Sequence, residues 1–311
     1  MKTNDPKPVL DFTGERFTPE SCREIWYEHF HRYALASILV EGLDVLDAAC
    51  GEGYGSAVLA SKAALVTAVD ISEETIAHAS KRYSEHKNLN FIQADCTQLD
   101  FSGKQFDAII SFETLEHLQQ QEAMLAGFQR ALKPGGWLLI SSPDKAEYSD
   151  AANYQNPWHV KELYKQELLD LLQQQFTQVR LYGQKLAFHS LIWDINTTGA
   201  YQSQTLTTDT DALENSETLQ LKPTYFIALC AANVSDFPDL SSLNLFADQS
   251  ASVYQHYEHE IRKNMAAGDI IHQRDQQISE LEEQLLKTQK ASKSKQKPAQ
   301  QKGIFSRWFS K

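Results

Sequence analysis

The sequence predicts a doubly wound α/β fold, in which helices cover both faces of a largely parallel sheet. Between residues 43 and 142, short apolar runs alternate with helix-compatible segments of about 10 to 15 residues, the pattern of successive βαβ units. The strand candidates read LDVLDA, LVTAVD, NFIQAD, FDAIISF and WLLISS. Within them, VLDA, VTAV, AII and LLI lack polar alternation, as is typical of strands that helices bury on both faces.

A helix is predicted ahead of this core, over EIWYEHFHRYALASILV. Helical periodicity gives it an expected apolar face of Ile25, Phe30, Tyr33, Ala34 and Ile38. We expect an N-terminal lid and helix over about 11–41, within a first domain spanning 1–240.

Further elements are expected after the core: a helix in KELYKQELLDLLQQQF and strands at VRLYG and YFIALCAA. Residues from about 186 to 221 are polar and rich in threonine, which predicts an insertion with a short helical piece near FHSLIWDI. A long insertion near the carboxyl end of a sheet often shapes a substrate pocket.

A helical extension is predicted over 247–290, where the composition shifts to Gln, Glu and Lys. Ile271, Ile278, Leu281 and Leu285 fit a coiled-coil seam, although Arg274 takes one d position and only about two heptads hold. This pattern favours a short coiled coil and a homo-oligomer formed through 252–290. Residues 291–311 read as a basic low-complexity linker and an amphipathic tail.

The charge of the chain is distributed unevenly. The net charge is −12, but the 25 residues from Lys287 to Lys311 hold eight Lys or Arg and no Asp or Glu. The remainder therefore carries 21 basic and 41 acidic residues, which excludes nucleic acid as a partner of that acidic body.

The compartment is predicted from cysteines and hydropathy. Four cysteines lie far apart in the sequence, at Cys22, Cys50, Cys96 and Cys230, so neither a disulfide framework nor a paired metal motif is visible. The start is polar, and no run approaches the ~18 to 20 apolar residues of a bilayer span. We expect a cytoplasmic protein, with the inner membrane face as a peripheral site.

A glycine-rich loop follows the first predicted strand, in LDAACGEGYG. Its glycines are spaced G-x-G-x-G, unlike the G-x-G-x-x-G loop that brings a pyrophosphate onto a helix N-terminus. Asp47 and Glu52 accompany the loop, and two carboxylates beside the crevice would repel a phosphate. The loop therefore favours a ligand with cationic groups.

Over about residues 40–145, together with a C-terminal antiparallel strand, the chain resembles the class I S-adenosylmethionine-dependent methyltransferases. The resemblance lies in VLDAACGEGYG, VTAVDIS, NFIQADCTQLDF, FDAIISFETLEHL and LKPGGWLLISSP, which occur in the family's order. It implies a Rossmann-like, mostly parallel seven-stranded sheet with an antiparallel last strand, and S-adenosyl-L-methionine as the cofactor.

The resemblance also implies which residues bind the cofactor. Asp70 would accept hydrogen bonds from the ribose hydroxyls, and Asp95 would lie near the adenine amine, with Cys96 as a backbone contact. The full set is Asp47, Ala48, Cys50, Gly51, Gly53, Gly55, Asp70, Ile71, Asp95, Cys96, Ser111 and Arg16. Taken singly, the acids could be helix caps or strand-end residues, and the glycines could only close a tight turn.

Methyl transfer from a sulfonium is an in-line displacement, so the protein mainly aligns the reacting atoms and excludes water. A sugar hydroxyl would also need a general base. The candidates are Glu113, Glu116 and His117 in SFETLEHL, and His159 in NPWHVKEL. His117 could equally be a capping or core imidazole, and His159 could be a solvent-facing residue before a helix.

The acceptor is predicted from a second resemblance. TGERFTPE, YEHFHRYALA and NPWHVKEL are similar to segments of methyltransferases of bacterial cell-surface polysaccharide synthesis, including those that cap O-antigen chains. This resemblance implies a glycan acceptor and a lid over the cofactor formed by Arg16, Phe17, His29, His31 and Arg32. His29 and His31, two apart on a helix, do not face each other, and we assign no metal site.

The tail GIFSRWFSK combines an apolar face with basic residues, which suits an anionic membrane surface. A partner-docking helix on a polysaccharide-assembly enzyme would use the same contacts at 302–311. Two other functions stay open: a small-molecule methyltransferase acting on a quinone or nucleotide sugar, and a catalytically silent adaptor that keeps the fold.

Overall fold

The computed structural model describes residues 24–101, 103, 105–189, 205–209, 212–216, 219 and 221–295. Its contacts divide the chain into two units, Met1–Ala247 and Asp248–Lys311. Three predicted features lie outside the described residues: the Arg16 part of the lid, the insertion from 190 to 204 with most of FHSLIWDI, and the tail at 302–311.

Nine strands are present in the described part of the chain. They are β1 (Asp44–Ala48), β2 (Leu65–Asp70), β3 (Leu89–Gln93), β4 (Phe106–Ser111), β5 (Leu132–Pro143), β6 (Gln178–Gln184), β7 (Thr205–Asp209), β8 (Ala212–Ser216) and β9 (Tyr225–Ala231).

Seven of these strands form one sheet in the order β3-β2-β1-β4-β5-β9-β6. Neighbours from β3 to β5 pair in parallel, whereas β9 pairs antiparallel with both β5 and β6. The predicted fold class is therefore confirmed. The strand order reverses between β1 and β4, and open α/β sheets bind ligands at the carboxyl ends of the strands beside such a reversal.

Six α-helices accompany the strands in the described residues. They are α1 (Glu24–Leu39), α2 (Tyr54–Ala60), α3 (Glu73–Arg82), α4 (Gln121–Ala131), α5 (Lys165–Gln173) and α6 (Ser252–Lys295). At the start of α3 the Ser72 hydroxyl accepts a hydrogen bond from the Thr75 N–H at 3.3 Å, which satisfies one of the donors left open by a helix N-terminus.

The sheet has a hydrophobic cluster on each face. Consecutive strand residues point to opposite faces, so Val45 joins one cluster and Leu46 the other. The first cluster includes Tyr33 of α1, and the second includes Phe128 of α4. Burial of β1 on both faces explains why its apolar residues do not alternate with exposed polar ones.

The predicted apolar face of α1 is confirmed at Tyr33, which is buried, and at Phe30, which packs against the core, but it is wrong at Ile25 and Ile38. Ile25 and Ile38 are 44% and 66% exposed, whereas the buried residues of the helix are Tyr27, Arg32, Tyr33 and Ala36. The buried face includes the Arg32 guanidinium because polar groups of the sheet pair with it. Hydrophobic periodicity predicts a helix but cannot show which polar side chain has a buried partner.

The threonine-rich insertion contains a two-stranded antiparallel hairpin, β7–β8, which the sequence did not predict. The C-terminal helix α6 runs for 44 residues, about 66 Å at 1.5 Å per residue, and exposes large apolar side chains. Among the described residues, none of the helices is long and apolar enough to cross a bilayer.

Candidate active site

The loop between β1 and α2 turns sharply through residues with left-handed backbone. Ala49, Gly51 and Gly53 have φ angles of 60°, 53° and 91°. A β-carbon at Gly53 would lie 2.8 Å from the Phe91 ring, and one at Gly55 would overlap the ring of Tyr33. Protein packing therefore accounts for glycine at 53 and 55, where the sequence had favoured close approach of a ligand.

Asp47 supports this loop from inside the protein. Its side chain is fully buried and accepts hydrogen bonds from the Tyr33 hydroxyl at 3.1 Å and the Ser56 hydroxyl at 2.6 Å. Burial raises the pKa of Asp47 to about 7 against the lowering effect of both hydroxyls. The carboxyl group thus ties α1 and α2 to the end of β1.

Glu52 does not face the crevice. Its buried carboxylate contacts Arg82 Nε and His78 Nε2, each at 3.0 Å, and accepts a hydrogen bond from the Tyr83 hydroxyl at 2.8 Å. These partners belong to α3 and its C-terminal cap. The prediction that Glu52 repels a phosphate ligand is therefore wrong. Of the sequence evidence against a phosphate ligand, the glycine spacing is unaffected.

Asp70 ends β2 beside the same loop. Its Oδ2 accepts from the Gly51 N–H at 3.0 Å and its Oδ1 from the Ser72 N–H at 2.9 Å. Each carboxylate oxygen can accept a further hydrogen bond. The next side chain, Ile71, is 67% exposed, and Asp95 is held by the backbone and hydroxyl of Thr97, which lower the pKa of Asp95.

The chain leaves β4 through Glu113, which has a φ of 51°. Ser141 of β5 holds it twice: its hydroxyl accepts from the Glu113 N–H at 3.1 Å and donates to Glu113 Oε1 at 2.6 Å. This clasp fixes the first turn after β4 against β5.

Arg32 of α1 reaches the same region and is 1% exposed. Its Nη1 donates to Gln184 Oε1 at 2.8 Å and lies 3.6 Å from Glu113 Oε1, while the guanidinium carbon lies 4.9 Å from the Tyr225 ring centre. Its Nε and Nη2 have no hydrogen-bond partner among the described residues.

Glu28 of α1 lies near Arg32. Burial raises the pKa of Glu28 to about 6, against the lowering effect of Arg32.

A second polar cluster lies beyond Glu113. Glu116, His117 and His159 bring one ligand-type atom each within 4.8 Å of the others. The His117 and His159 ring centres are 5.0 Å apart, and the Tyr148 ring stacks on His159 at 5.3 Å with an interplanar angle of 25°. The topology brings His159, 42 positions later in the sequence, back to the end of β4.

The partners of both imidazoles define which ring nitrogen carries the proton. His117 Nδ1 lies 3.0 Å from the carbonyl oxygen of Trp158, which can only accept. His159 Nδ1 lies 2.5 Å from Glu162 Oε1, and its Nε2 lies 2.9 Å from the amide nitrogen of Asn156, a donor. Each ring therefore donates from Nδ1, and Nε2 of His159 accepts from Asn156.

A cavity of about 620 Å³ opens beside His159. Its lining consists of polar and aromatic residues: Lys145, Ser149, Asp150, Asn153, Tyr154, Gln155, Asn156, His159 and Glu162. No aliphatic side chain contributes to this lining among the residues that the structure describes. The cavity is suited to a hydroxylated ligand.

A comparison with protein families identifies the fold. Residues 46–140 match the family described as "Methyltransferase domain". The chain carries an S-adenosylmethionine-dependent methyltransferase domain. The matched range runs from β1 to β5 and includes the glycine loop, Asp70 and the clasped Glu113.

Proteins named as methyltransferases are similar to about half of the chain. Over 168 residues the chain is 33% identical to a "Probable S-adenosylmethionine-dependent methyltransferase" of Mycolicibacterium smegmatis, covering 53% of this chain and 64% of that protein. A Mycobacterium tuberculosis protein of the same description is 34% identical over 167 residues, covering 53% of this chain and 60% of that protein. The match thus spans less than two thirds of these relatives' length.

Two other proteins are similar to parts of the methyltransferase domain. A "Ubiquinone biosynthesis O-methyltransferase" of Coxiella burnetii is 36% identical over 114 residues, covering 36% of this chain and 48% of that protein. The solved structure of N-methyltransferase NodS from Bradyrhizobium japonicum, in complex with S-adenosyl-L-homocysteine, has 17% identity and a TM-score of 0.46, covering 67% of this chain and 87% of that one.

The residues around the glycine loop have the chemical groups needed to bind S-adenosylmethionine. Asp70 keeps acceptor capacity for two ribose hydroxyls, and the exposed Ile71 offers an apolar surface for a flat base. Cys50 and Cys96 are buried, as is Ser111, whose hydroxyl has no partner in the described part of the chain. The site roles of these residues and of Ala48 stay predictions.

His29 and His31 of the predicted lid are both partly buried in the protein. His31 stacks on Phe246 with ring centres 5.4 Å apart and hydrogen-bonds Asn244 at 2.8 Å, and burial lowers the pKa of His29 and of His31. The sequence reasoning missed Glu162, although its position three residues after His159 is a spacing at which a carboxylate can orient an imidazole.

Proposed function

We propose that this chain transfers the methyl group of S-adenosylmethionine to a hydroxyl oxygen of a glycan or lipid-linked saccharide. The observation that carries the proposal is the cavity beside His159, with its amide, hydroxyl and carboxylate lining. A saccharide presents hydroxyls that such groups can pair, whereas an apolar ring would leave them unpaired at a cost in free energy. Tyr154 adds an aromatic surface for a sugar ring.

His159 is proposed as the residue that takes the proton of the acceptor hydroxyl. Its Nε2 carries a lone pair, and Glu162 both orients the ring and stabilises the imidazolium that proton transfer would form. The cofactor, when bound, supplies an electrophilic methyl group. With the cofactor bound, its methyl group would pass from sulfur to the acceptor oxygen, and the proton that this oxygen loses would go to His159 Nε2.

The test uses the full chain and a cofactor labelled in its methyl group. Label should appear in lipid-linked oligosaccharides and remain absent from hydroxylated quinone precursors. His159→Ala should reduce turnover by at least about 100-fold, a typical loss for a general base, while the affinity for S-adenosylhomocysteine stays within twofold. His86→Ala, remote from the cluster, is the matched control. Full turnover by His159→Ala would remove the assigned role.

A second candidate is O-methylation of a small hydroxylated ring. It is supported by the similarity to the Coxiella burnetii protein named for ubiquinone biosynthesis. The same labelling assay separates the two, because a small-molecule enzyme would label the quinone precursor and leave the oligosaccharides unlabelled.

A further inference from the structure

Glu116 is a buried carboxylate that no other side chain of the described residues hydrogen-bonds. Its side chain is 1% exposed, and the hydrogen-bonding group that acts on its carboxylate is its own backbone N–H. The nearest cationic candidate is His117, whose Nε2 lies 3.9 Å from Oε1. A buried carboxylate in this position is costly unless a cation or a proton neutralises it.

The surroundings of Glu116 add negative charge. The carboxylates of Glu113 and Glu162 lie near enough to act on Glu116 electrostatically, and the Arg32 guanidinium is the cation that acts on it. Arg32 already lies 3.6 Å from Glu113. A further positive charge would therefore be favoured at this point.

Both neighbouring imidazoles are arranged as metal ligands usually are. A metal-binding histidine presents one nitrogen lone pair to the ion and donates its other N–H to a carbonyl or carboxylate. His117 donates to the Trp158 carbonyl and His159 donates to Glu162, which leaves Nε2 of each ring as the ligand atom. Asn156 is the present partner of His159 Nε2 and would give up that contact.

We propose that Glu116, His117 and His159 bind one divalent transition-metal ion that holds the acceptor hydroxyl. Ligand atoms bonded to one ion at about 2.0–2.2 Å lie at most about 4.4 Å apart, and these three lie within 4.8 Å of one another. Closing by a few tenths of an ångström completes the site. Two imidazole nitrogens favour Mn²⁺, Fe²⁺, Co²⁺ or Zn²⁺ over Mg²⁺ and Ca²⁺.

This inference rests on the proposed function for its chemical role. Three protein ligands leave coordination positions for oxygens of the acceptor. The bound ion lowers the pKa of a coordinated hydroxyl, which then releases its proton to solvent water. With the ion in place, His159 Nε2 is a ligand and no longer accepts that proton. A pair of adjacent hydroxyls on the acceptor would fit best, because both can bind one ion.

The binding test uses the full chain stripped of metal and titrated with Co²⁺. One equivalent should bind and give visible absorption bands of a nitrogen-ligated ion, and Mn²⁺ should compete while Mg²⁺ does not. Glu116→Gln and His117→Asn should each weaken Co²⁺ binding by at least about tenfold. Loss of a residue that only hydrogen-bonds a metal ligand already costs about that much, and these two residues are the ligands themselves. Glu122→Gln, an exposed carboxylate on α4, should bind like wild type.

Thermal unfolding of each variant checks that the fold is kept, and His117→Asn serves if Glu116→Gln does not fold. Lack of Co²⁺ binding at millimolar metal, or equal binding by all variants, would overturn the inference.

A second measurement separates this inference from the proposed function. Turnover of the stripped protein should fall at least about tenfold and return with Mn²⁺ or Co²⁺, while S-adenosylhomocysteine binds equally with and without metal. Full turnover in the presence of a chelator would leave His159 as the base and overturn the metal site alone. If no acceptor is methylated, the Co²⁺ titration still decides the site.

Discussion

The ring of Tyr33 fills the space that a β-carbon on residue 55 would need. The same residue donates its hydroxyl to Asp47, so α1 fixes both the third glycine of the loop and the acid before it.

Gly55→Ala should therefore destabilise the domain. The added methyl group overlaps the Tyr33 ring, and overpacking of this kind costs about 1–3 kcal/mol of unfolding free energy. Gly127→Ala is the matched control, because the nearest atoms to its β-carbon lie 3.9 Å away and alanine is favoured within a helix by up to about 1 kcal/mol. Denaturant unfolding of both variants checks this; equal stabilities would show that Tyr33 moves freely.

Asp70→Ala should weaken S-adenosylhomocysteine binding by at least about tenfold, because charge-assisted hydrogen bonds to ribose hydroxyls contribute about 1.5–3 kcal/mol. Calorimetry measures the affinity. Asp239→Ala, an exposed acid remote from the loop, is the control. Since Asp70 also holds the Gly51 and Ser72 N–H groups, a melting curve accompanies the titration. Unchanged affinity in a folded variant would rule out the ribose contact.

Asp47 should make stability depend on pH. Burial raises its pKa from the ordinary value of 3.8 to about 7, so between about pH 4 and pH 7 the folded protein keeps a proton that the unfolded chain has released. The contribution of Asp47 to stability therefore falls as pH rises through that window and is constant above it. Asp47→Asn does not titrate, so its unfolding free energy relative to wild type should rise across the window. A difference independent of pH would contradict the raised pKa.

The exposed seam of α6 is expected to bind a second copy of the chain. The seam residues are each more than half exposed: Ile271, Ile278, Leu281 and Leu285. A coiled coil would stabilise the pair of helices by removing this apolar surface from water. Ile278→Lys should shift the sedimentation coefficient to that of a monomer. Gln276→Lys, on the opposite side of the helix, should leave it unchanged. A wild-type monomer at high concentration would refute the seam.

The tail, which lies outside the described residues, is expected to bind anionic membranes. Deleting 296–311 removes four basic residues together with Trp308 and Phe309, and each basic charge near such a surface contributes about 1 kcal/mol. Co-sedimentation with phosphatidylserine vesicles should be lost, and neutral vesicles should bind neither form. Persistent vesicle binding after the deletion would point to another anchor.

The sequence predicted the sheet well because burial on both faces makes its central strands largely apolar runs. Strands β1, β2 and β4 follow from such runs, and β9 follows from YFIALCAA. The predicted face of α1 was right at Tyr33 and wrong at Ile25 and Ile38. The buried face includes Arg32, whose partners Gln184, Glu113 and Tyr225 lie far away in sequence. Hydrophobic periodicity counts an arginine as polar and therefore assigns it to the exposed face.

The candidate site was predictable only in parts. Asp70 and His159 could be singled out from their positions after predicted elements. That Glu116, His117 and His159 meet depends on where the loop after β5 returns, which no local pattern encodes. Glu52 was misread for the same reason, since its partners His78 and Arg82 come from a helix that begins 21 residues later.

The stacking of Tyr148 on His159 gives the cluster a spectroscopic signature. Protons held above an aromatic face are shielded by its ring current, so the carbon-bound imidazole protons of His159 should resonate upfield among those of the ten histidines. Tyr148→Leu would identify the signal by removing that shielding. Acceptor, proton and metal titrations could then be followed at a single assigned resonance.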